Sequence, residues 1–218
     1  MTARYPQYVV ELVRRDRQHV STWSGGRTTE VAIYPRGAAY GHGGFLWRIS
    51  SASVDSVEAE FTFLPGIWRL IMVLEGDMTL EHERRHSVRL RPFQQDAFAG
   101  DWVTRSKGRA RDFNIMLATG CAGWMQAATV QGQSTCAMQT GNDSECGEGG
   151  HVTVIVYAVD GSVVADFGIE EEYRVDIGDA LLLTTDGHRA PCSVQLSSQG
   201  PDPVHVVLAA IRYDEVQR

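Results

Sequence analysis

The 218-residue sequence has few cysteines and no long apolar run. None of its four cysteines forms a Cys-x-x-Cys pair. Because no export signal is apparent, we expect reduced cytosolic thiols, although a disulfide between Cys136 and Cys146 stays open. No segment approaches the ~18 apolar residues of a membrane-spanning helix. The first residues show neither the apolar core nor the cleavage site of a signal peptide. We therefore expect a cytoplasmic protein that is not bound to a membrane.

Basic charge and helical periodicity are also scarce. The net charge is −7 and the isoelectric point about 5.5, which argues against nucleic-acid binding because that function normally needs a basic face. No stretch of about 12 residues carries a helical period. Nucleophile elbows, phosphate loops and zinc-finger spacings are absent as well. The sequence therefore predicts no catalytic residues from any of these motifs.

Short apolar runs that end at glycine are abundant, and they predict an all-β protein. The sequence has 22 glycines and is 43% hydrophobic, enough to bury a core. Ala122–Val130 can be read as a short helix or a strand, and Ser134–Gly150 is predicted to be a loop. The clearest strands of the first half are Tyr8–Val13, Thr29–Tyr34, Phe45–Val54, Ala59–Leu64, Arg69–Gly76 and Ala110–Ala118.

A weak internal repeat relates residues 69–100 to residues 151–185. Each segment has an apolar strand, an acidic-glycine turn, two more strands, a turn residue and another apolar strand. The spacing from turn to turn is similar, with 16 positions from Gly76 to Pro92 and 17 from Gly161 to Gly178. This order resembles the cupin barrel, a small jelly roll. We predict a bicupin of two jelly-roll-like barrels, at 1–120 and 151–218, joined by a connecting segment at 121–150.

The residues that hold a metal in most cupin enzymes are missing. Their pattern, G-x5-H-x-H-x3,4-E-x6-G, can be aligned on Gly76, and it then places its glutamate at Arg69 and its histidines near Thr62 and Leu64. A later histidine position falls on Val103. A cationic arginine at a ligand position would repel a divalent ion, so we expect no metal there.

The pair His82 and His86 is the remaining metal candidate. Two histidines four apart share one face of a helix, as in zinc sites, but these two flank a charged hairpin turn. We expect both to be exposed to solvent, and we predict neither a metal nor another cofactor.

Polar side chains on alternating strand faces suggest a binding pocket. Arg48 and Ser50 share one face of their strand, Asp112 and Asn114 share one face of another, and Arg69 begins a third. Guanidinium groups with amide and hydroxyl partners suit a carboxylate, which arginine can bind through two hydrogen bonds. The alternative is a buried ion pair in which Arg48 or Arg69 neutralises Asp112.

Several sequence blocks together resemble the HutD/Ves family, over about residues 20–118 in family order. They are W-S-G-G-R-T-T-E-V-A-I-Y-P (Trp23–Pro35), F-L-W-R-I-S-S-A-S-V (Phe45–Val54), F-L-P-G (Phe63–Gly66), R-L-I-M-V-L-E-G (Arg69–Gly76), F-A-G-D-W (Phe98–Trp102) and R-D-F-N-I-M (Arg111–Met116). The resemblance implies a bicupin without a catalytic metal. It also implies a link to histidine utilisation, where a family member is thought to bind formylglutamate or a similar small carboxylate and so limit pathway flux. One departure is the turn W-S-G-G-R-T, which lacks the asparagine of the W-x-N-G-G-G-x-T turn in many members.

The matching blocks imply which side chains contact the ligand, with Trp23 and Trp47 as further candidates for the pocket wall. The ligand-binding residues so implied are Arg48, Ser50, Arg69, Asp112, Phe113 and Asn114. We expect a non-catalytic protein that binds a small carboxylate or formylated metabolite. The alternatives are a metal-independent isomerase, lyase or hydrolase with Asp112 or His42 as general base, or a solidly packed structural protein. Pairing of edge strands into a homodimer stays open.

Overall fold

The computed structural model describes residues 8–42, 44–138, 150–169, 171–186, 190–191 and 193–214. Within these ranges there is no α-helix, and two short 3-10 turns span Arg15–Arg17 and Tyr40–His42. The strands are β1 (Tyr8–Val13), β2 (His19–Trp23), β3 (Gly26–Tyr34), β4 (Trp47–Val54), β5 (Glu58–Glu60), β6 (Ile67–Gly76), β7 (Met78–His82), β8 (Ser87–Leu90), β9 (Gln95–Ala99), β10 (Thr104–Lys107), β11 (Ala110–Ala118), β12 (Ala122–Val130), β13 (Gln133–Ala137), β14 (His151–Ala158), β15 (Val163–Asp166), β16 (Tyr173–Val175), β17 (Ala180–Asp186), β18 (Ser193–Ser197) and β19 (Val204–Tyr213).

The strands form two compact units, each made of two antiparallel sheets. The N-terminal unit is Gln18–Thr119, and the C-terminal unit comprises the described residues of Met1–Arg17 and Gly120–Arg218. The N-terminal unit has a larger sheet of order β2-β3-β4-β11-β6-β9 and a smaller sheet of order β5-β10-β7-β8. In the C-terminal unit the orders are β1-β17-β14-β19-β12 and β13-β18-β15-β16.

The predicted repeat is confirmed by these strand orders, and it extends beyond the predicted segments. The order β9-β6-β11-β4 corresponds to β17-β14-β19-β12, and β8-β7-β10-β5 corresponds to β16-β15-β18-β13. The all-β, two-half architecture is therefore as predicted. Among the described strands, however, no sheet closes on itself, so each unit is a pair of open sheets rather than a closed barrel.

The two sheets of each unit enclose an apolar core because alternate residues of each strand point inward. In the N-terminal unit, Ile71 and Val73 of the larger sheet pack in one buried cluster with Met78, Leu80 and Leu90 of the smaller sheet. The C-terminal unit has a corresponding cluster, which includes residues of β14, β15, β18 and β19. In the N-terminal unit this core fills only part of the space between the sheets, and the remainder holds the candidate site.

Three predictions about local structure need correction. Strand β1 pairs with β17 in the C-terminal unit, with Tyr8 opposite Thr185, so the first strand does not belong to the first half. The predicted connecting segment 121–150 includes β12 and β13. Both strands pair with strands of the C-terminal unit and therefore belong to that unit. The predicted strand Ala59–Leu64 is shorter, since only Glu58–Glu60 pairs with β10.

The remainder of the predicted loop, residues 139–149, lies outside the described part, and Cys146 lies there too. The open disulfide is thus untested, and Cys136 is a free cysteine. None of the helical segments that the structure describes is long and apolar enough to cross a membrane.

Candidate functional site

A polar cavity of about 210 Å³ lies between the two sheets of the N-terminal unit. Its wall combines inward residues of β4, β6 and β11 with residues near β5 and with Tyr40. It is smaller than the ~300–1,000 Å³ typical of pockets for drug-sized ligands, which suits a small metabolite. The predicted ligand-binding residues that line it are Arg48, Ser50, Arg69, Asp112 and Asn114.

Strand alternation and register bring these side chains together. On β4 and β11, Arg48 lies opposite Met116 and Ser50 lies opposite Asn114. Arg69 of β6 is opposite Met116 on the other side of β11. The polar faces inferred from the sequence therefore converge on one space, as expected from the period of two in a strand.

Phe113, which was also predicted to bind the ligand, does not face the cavity. It is adjacent to Asp112 and Asn114 on β11, so its side chain points to the opposite face of the sheet, where it is 0% exposed. It is not among the residues that line the cavity. The fold rather than the ligand accounts for its burial. Of the two tryptophans considered for the wall, Trp23 borders the cavity and Trp47 does not.

Arg48 is neutralised by a glutamate that sequence reasoning missed. Its Nε donates to Oε2 of Glu30 at 2.6 Å, and one terminal nitrogen donates to Oγ of Ser50 at 3.2 Å. The guanidinium also lies 4.3 Å from the centre of the Tyr40 ring. Glu30 belongs to the neighbouring strand β3, where it is opposite Ser50. Only the pairing of β3 with β4 reveals this contact.

Arg69 is buried without a carboxylate partner among the described residues. It is 2% exposed, and its Nη2 donates to the carbonyl oxygen of Thr62 at 2.7 Å. Its Nε has no hydrogen-bond partner among those residues, and Phe61 and Phe98 lie beside the guanidinium. Burial lowers the pKa of Arg69. A buried cation in this state is costly unless an anion compensates it.

Asp112 lies in the same cavity with an unusual pKa. Burial raises the pKa of its carboxyl group to about 7, against the opposing effects of a backbone hydrogen bond from Ala52 and the charge of Arg69. Neither cavity arginine forms an ion pair with Asp112 in the described part of the chain, so the predicted alternative pair is not present. Near neutral pH a large share of this carboxyl group is protonated and can donate a hydrogen bond.

Asn114 completes the polar wall. Its side chain is buried, and its Oδ1 has no hydrogen-bond partner within the described structure. A buried amide oxygen without a donor costs ~1–3 kcal/mol. A ligand that carried an N–H group would remove this penalty.

The internal repeat provides a comparison for the cavity within the same chain. Strands β14 and β19 of the C-terminal unit correspond to β6 and β11 of the N-terminal unit. Val154 lies opposite Ala210 in the first pair, and Arg69 lies opposite Met116 in the second, so Val154 occupies the position of Arg69. The same registers place Val206 and Leu208 at the positions of Asp112 and Asn114, and both belong to the buried apolar cluster. The polar cavity is thus a feature of the N-terminal unit, since the equivalent positions in the C-terminal unit are apolar core.

The cavity does not fit the metal of cupin enzymes. The lining residues that the structure describes include no histidine, and they bring two arginines, Arg48 and Arg69, to the same space. Of the two carboxylates in the wall, Glu60 is paired with Arg105 at 2.9 Å. A divalent cation would meet positive charge and too few ligands.

Of the two histidines predicted to be exposed, His86 is exposed and His82 is not. His82 is 3% exposed rather than open to solvent, and it contacts His86 and Asp96 outside the cavity wall. The alternation Met78, Leu80, His82 along β7 is the signal that predicts its burial. The side chain of His42, the other histidine considered as a base, lies outside the described structure.

Comparison with known proteins gives one family and a set of related structures. A family model described as HutD matches residues 15–200. Protein PA5104 of unknown function from Pseudomonas aeruginosa PAO1 is 23% identical, with a TM-score of 0.72 over 95% of this chain and 100% of that chain. HutD from Pseudomonas fluorescens SBW25, in a formate condition, is 22% identical, with a TM-score of 0.63 over 93% and 98%.

More distant structures share the architecture. The pirin YhhW from Escherichia coli, in complex with nickel(II), is 11% identical, with a TM-score of 0.59 over 95% of this chain and 100% of that chain. Pirin is a cupin-fold protein. At these identities the structural likeness shows the cupin fold alone.

Proposed function

The chain belongs to the HutD family, and from this premise and its polar cavity we propose that it binds a small carboxylate or formylated metabolite. The ligand we favour resembles formylglutamate, and the role is regulatory, in histidine utilisation in the cytoplasm. The observation that carries the proposal is Arg69, a buried guanidinium whose Nε has no hydrogen-bond partner in the described structure.

The cavity matches such a ligand group by group. A carboxylate supplies the negative charge and the acceptors that Arg69 lacks, through charge-assisted hydrogen bonds. The protonated form of Asp112 can donate to a carboxylate or formyl oxygen. An N–H group, present in a formylated amine, can donate to Oδ1 of Asn114. Formate, the acid named with the Pseudomonas fluorescens HutD structure, is the smallest ligand this cavity would accept.

The turn W-S-G-G-R-T makes a panel of ligands necessary. Trp23 and Thr28, at the two ends of this segment, border the cavity. Since the turn departs from the form common in the family, the preferred ligand can differ from that of other members. Formylglutamate, formate, glutamate and urocanate differ in formyl group, amine and length, so their relative affinities identify which part the cavity recognises.

Calorimetric titration of the wild-type protein and of Arg69→Gln tests the proposal. We expect at least one of the four carboxylates to bind the wild type, and Arg69→Gln to bind it at least tenfold more weakly. Arg89→Gln is the matched control, because Arg89 is an exposed arginine that pairs with Asp77 on the surface. A ligand at 100 times its Kd also stabilises the fold by about 2.7 kcal/mol. Absence of any binding or thermal shift at millimolar concentrations would contradict the proposal.

A second candidate function, a metal-independent enzyme, is favoured by Asp112 alone. A carboxyl group with a pKa of about 7 inside a cavity is suited to general acid–base catalysis near neutral pH. Turnover of a formylated substrate that disappears in Asp112→Asn, while binding persists, would support this function. Binding without turnover in the wild type would support the regulatory role.

A further inference from the structure

The hairpin β7–β8 brings two histidines beside an aspartate of β9. Nε2 of His82 lies 2.9 Å from Oδ2 of Asp96, and Nε2 of His86 lies 3.3 Å from the same oxygen. One ligand atom from each residue lies within 4.8 Å of the others. The three side chains therefore converge on one small volume at the edge of the N-terminal unit.

The turn explains why a four-residue spacing works here. The backbone N–H of His82 donates to the carbonyl oxygen of His86 at 2.9 Å, and that of Arg85 donates back to His82 at 3.0 Å. Arg84 has a positive φ of 60° that closes the turn. The two imidazole rings are thereby held 4.6 Å apart between their centres. Their separation in space is set by the hairpin and needs no helix.

His82 is positioned by contacts typical of a metal ligand. Its Nδ1 is 2.8 Å from Oγ1 of Thr104, and this hydroxyl also lies 3.2 Å from the carbonyl oxygen of Trp102. Such a contact on the far nitrogen of a histidine ring orients the ring and sets its tautomer.

We propose that His82, His86 and Asp96 form a binding site for a divalent transition-metal cation, with zinc as the preferred ion. Two nitrogens and one carboxylate oxygen are ligands of zinc and related metals. Two ligand atoms each ~2.1 Å from a tetrahedral zinc ion lie about 3.4 Å apart. The separations of 2.9 Å and 3.3 Å between Asp96 and the two histidines are close to that distance, and the two histidine nitrogens lie within 4.8 Å of each other.

Open coordination positions can be filled from solvent. His86 has a side chain that is 44% exposed, and an open groove of about 400 Å³ borders both histidines. Among the arginines that border the groove, Arg105 pairs with Glu60, and Arg85 stacks at 4.2 Å on Trp102, whose ring also packs against both histidines. The exposed side of His86 in this groove gives the cation and its water ligands access from solvent.

The site is separate from the polar cavity of the N-terminal unit and from the usual cupin ligand positions. None of its three residues lines the cavity. The usual positions fall on Arg69, Thr62, Leu64 and Val103, which are not metal ligands. The competing explanation is purely structural: Asp96 accepts a hydrogen bond from each histidine and so fastens the hairpin to β9. The two explanations differ in what zinc does to the protein.

Calorimetric titration of the chelator-treated full chain with Zn²⁺ distinguishes them. We expect one zinc ion per chain and a rise in Tm for the wild type, with at least tenfold weaker binding for His86→Ala and for Asp96→Asn. His86 is half exposed, so its truncation leaves the core intact, and Asp96→Asn keeps the size of the side chain. His19→Ala, which removes an exposed histidine of β2, is the matched control and should bind as the wild type does.

Cobalt provides a second measurement that identifies the ligands. We expect bound Co²⁺ to give visible d–d bands without a sulfur-to-metal charge-transfer band in the near ultraviolet, and we expect the visible bands to disappear in His86→Ala. Failure of zinc to bind the wild type, unchanged binding in His86→Ala, or a thiolate band would each overturn the proposal. Carboxylate binding would be unaffected by these outcomes, since it depends on other residues.

Discussion

At the scale of single residues, the two cavity arginines differ in what neutralises their charge. Arg48 pairs with Glu30 at 2.6 Å, whereas Arg69 donates to a backbone carbonyl and has a free Nε among the described contacts. A paired arginine contributes to the fold, because its removal leaves a buried anion without a partner. A buried arginine without an anion destabilises the folded state, so an anionic ligand that pairs with it stabilises the protein.

Substitution of these arginines should separate binding from stability. Arg69→Gln should abolish carboxylate binding and change the free energy of unfolding by less than about 1 kcal/mol, since it removes an uncompensated cation. Arg48→Gln should cost on the order of 2–4 kcal/mol, below a fully buried pair because the side chain of Glu30 is 21% exposed. Urea unfolding combined with calorimetry measures both quantities. Unfolding of Arg69→Gln would assign Arg69 to the fold instead.

Asp112 should make stability depend on pH. An unfolded aspartate titrates near pH 4, whereas burial raises the pKa of Asp112 to about 7. The folded state thus keeps its proton over a range where the unfolded chain loses it. The stabilisation is present below ~4 and is lost as pH rises through about 7, by at most about 4 kcal/mol. Urea unfolding at pH 5 and pH 8 should show this decline in the wild type and a smaller one in Asp112→Asn.

Carboxylate affinity should follow the same titration. An ionised Asp112 repels an anion, and a protonated one donates a hydrogen bond to it, so the Kd should rise as pH increases through about 7. Asp112→Asn, which retains a donor and carries no charge, should bind with little change over this range. Equal pH profiles for the two proteins would exclude Asp112 as a ligand contact.

At the scale of strands, alternation predicted the convergence of β4, β6 and β11 well. Ser50 and Asn114 point to one space because each occupies an inward position of its strand, and the sequence contains that information. Glu30 could not be assigned to Arg48, because the register between β3 and β4 depends on tertiary pairing and includes a bulge after Glu30. His82 was missed although Met78, Leu80 and His82 alternate inward along β7. The charged residues that follow it, Glu83, Arg84 and Arg85, favoured an exposed turn in the sequence analysis.

The turn after β6 depends on a glycine that tolerates no side chain. Gly76 has a φ of +75°, and a Cβ there would overlap the carbonyl oxygen of Arg109. Gly76→Ala should therefore cost about 2–4 kcal/mol in the free energy of unfolding, from strain and displaced backbone together. Gly37→Ala is the control, with a φ of +85° and open space around the Cβ, and should cost only about 1 kcal/mol. Equal losses in urea unfolding would mean that the overlap relaxes freely.

At the scale of the whole molecule, one strand order is used twice with different interiors. Turn spacing in the sequence was enough to detect the repeat, because Gly76 and Gly161 occupy the same turn of the two units. The pairing of β1 with β17 of the C-terminal unit could not be predicted, since an edge strand can pair with any exposed sheet edge. The polar cavity occurs in one copy, because Arg69 faces a cavity where the repeat has Val154 in its core.

Matched truncations in the two units test this division of roles. Leu208 and Asn114 occupy equivalent positions, but Leu208 is a buried core residue and Asn114 presents an unpartnered oxygen to the cavity. Leu208→Ala should lower the free energy of unfolding by about 2–5 kcal/mol, through lost apolar burial and a new void. Asn114→Ala should cost less than ~1 kcal/mol, because it also removes an unsatisfied polar group. It should weaken binding of formylglutamate more than that of formate, which has no N–H group to lose. A large stability loss in Asn114→Ala would mean that the polar wall supports the fold, and the two copies would then differ in composition but not in role.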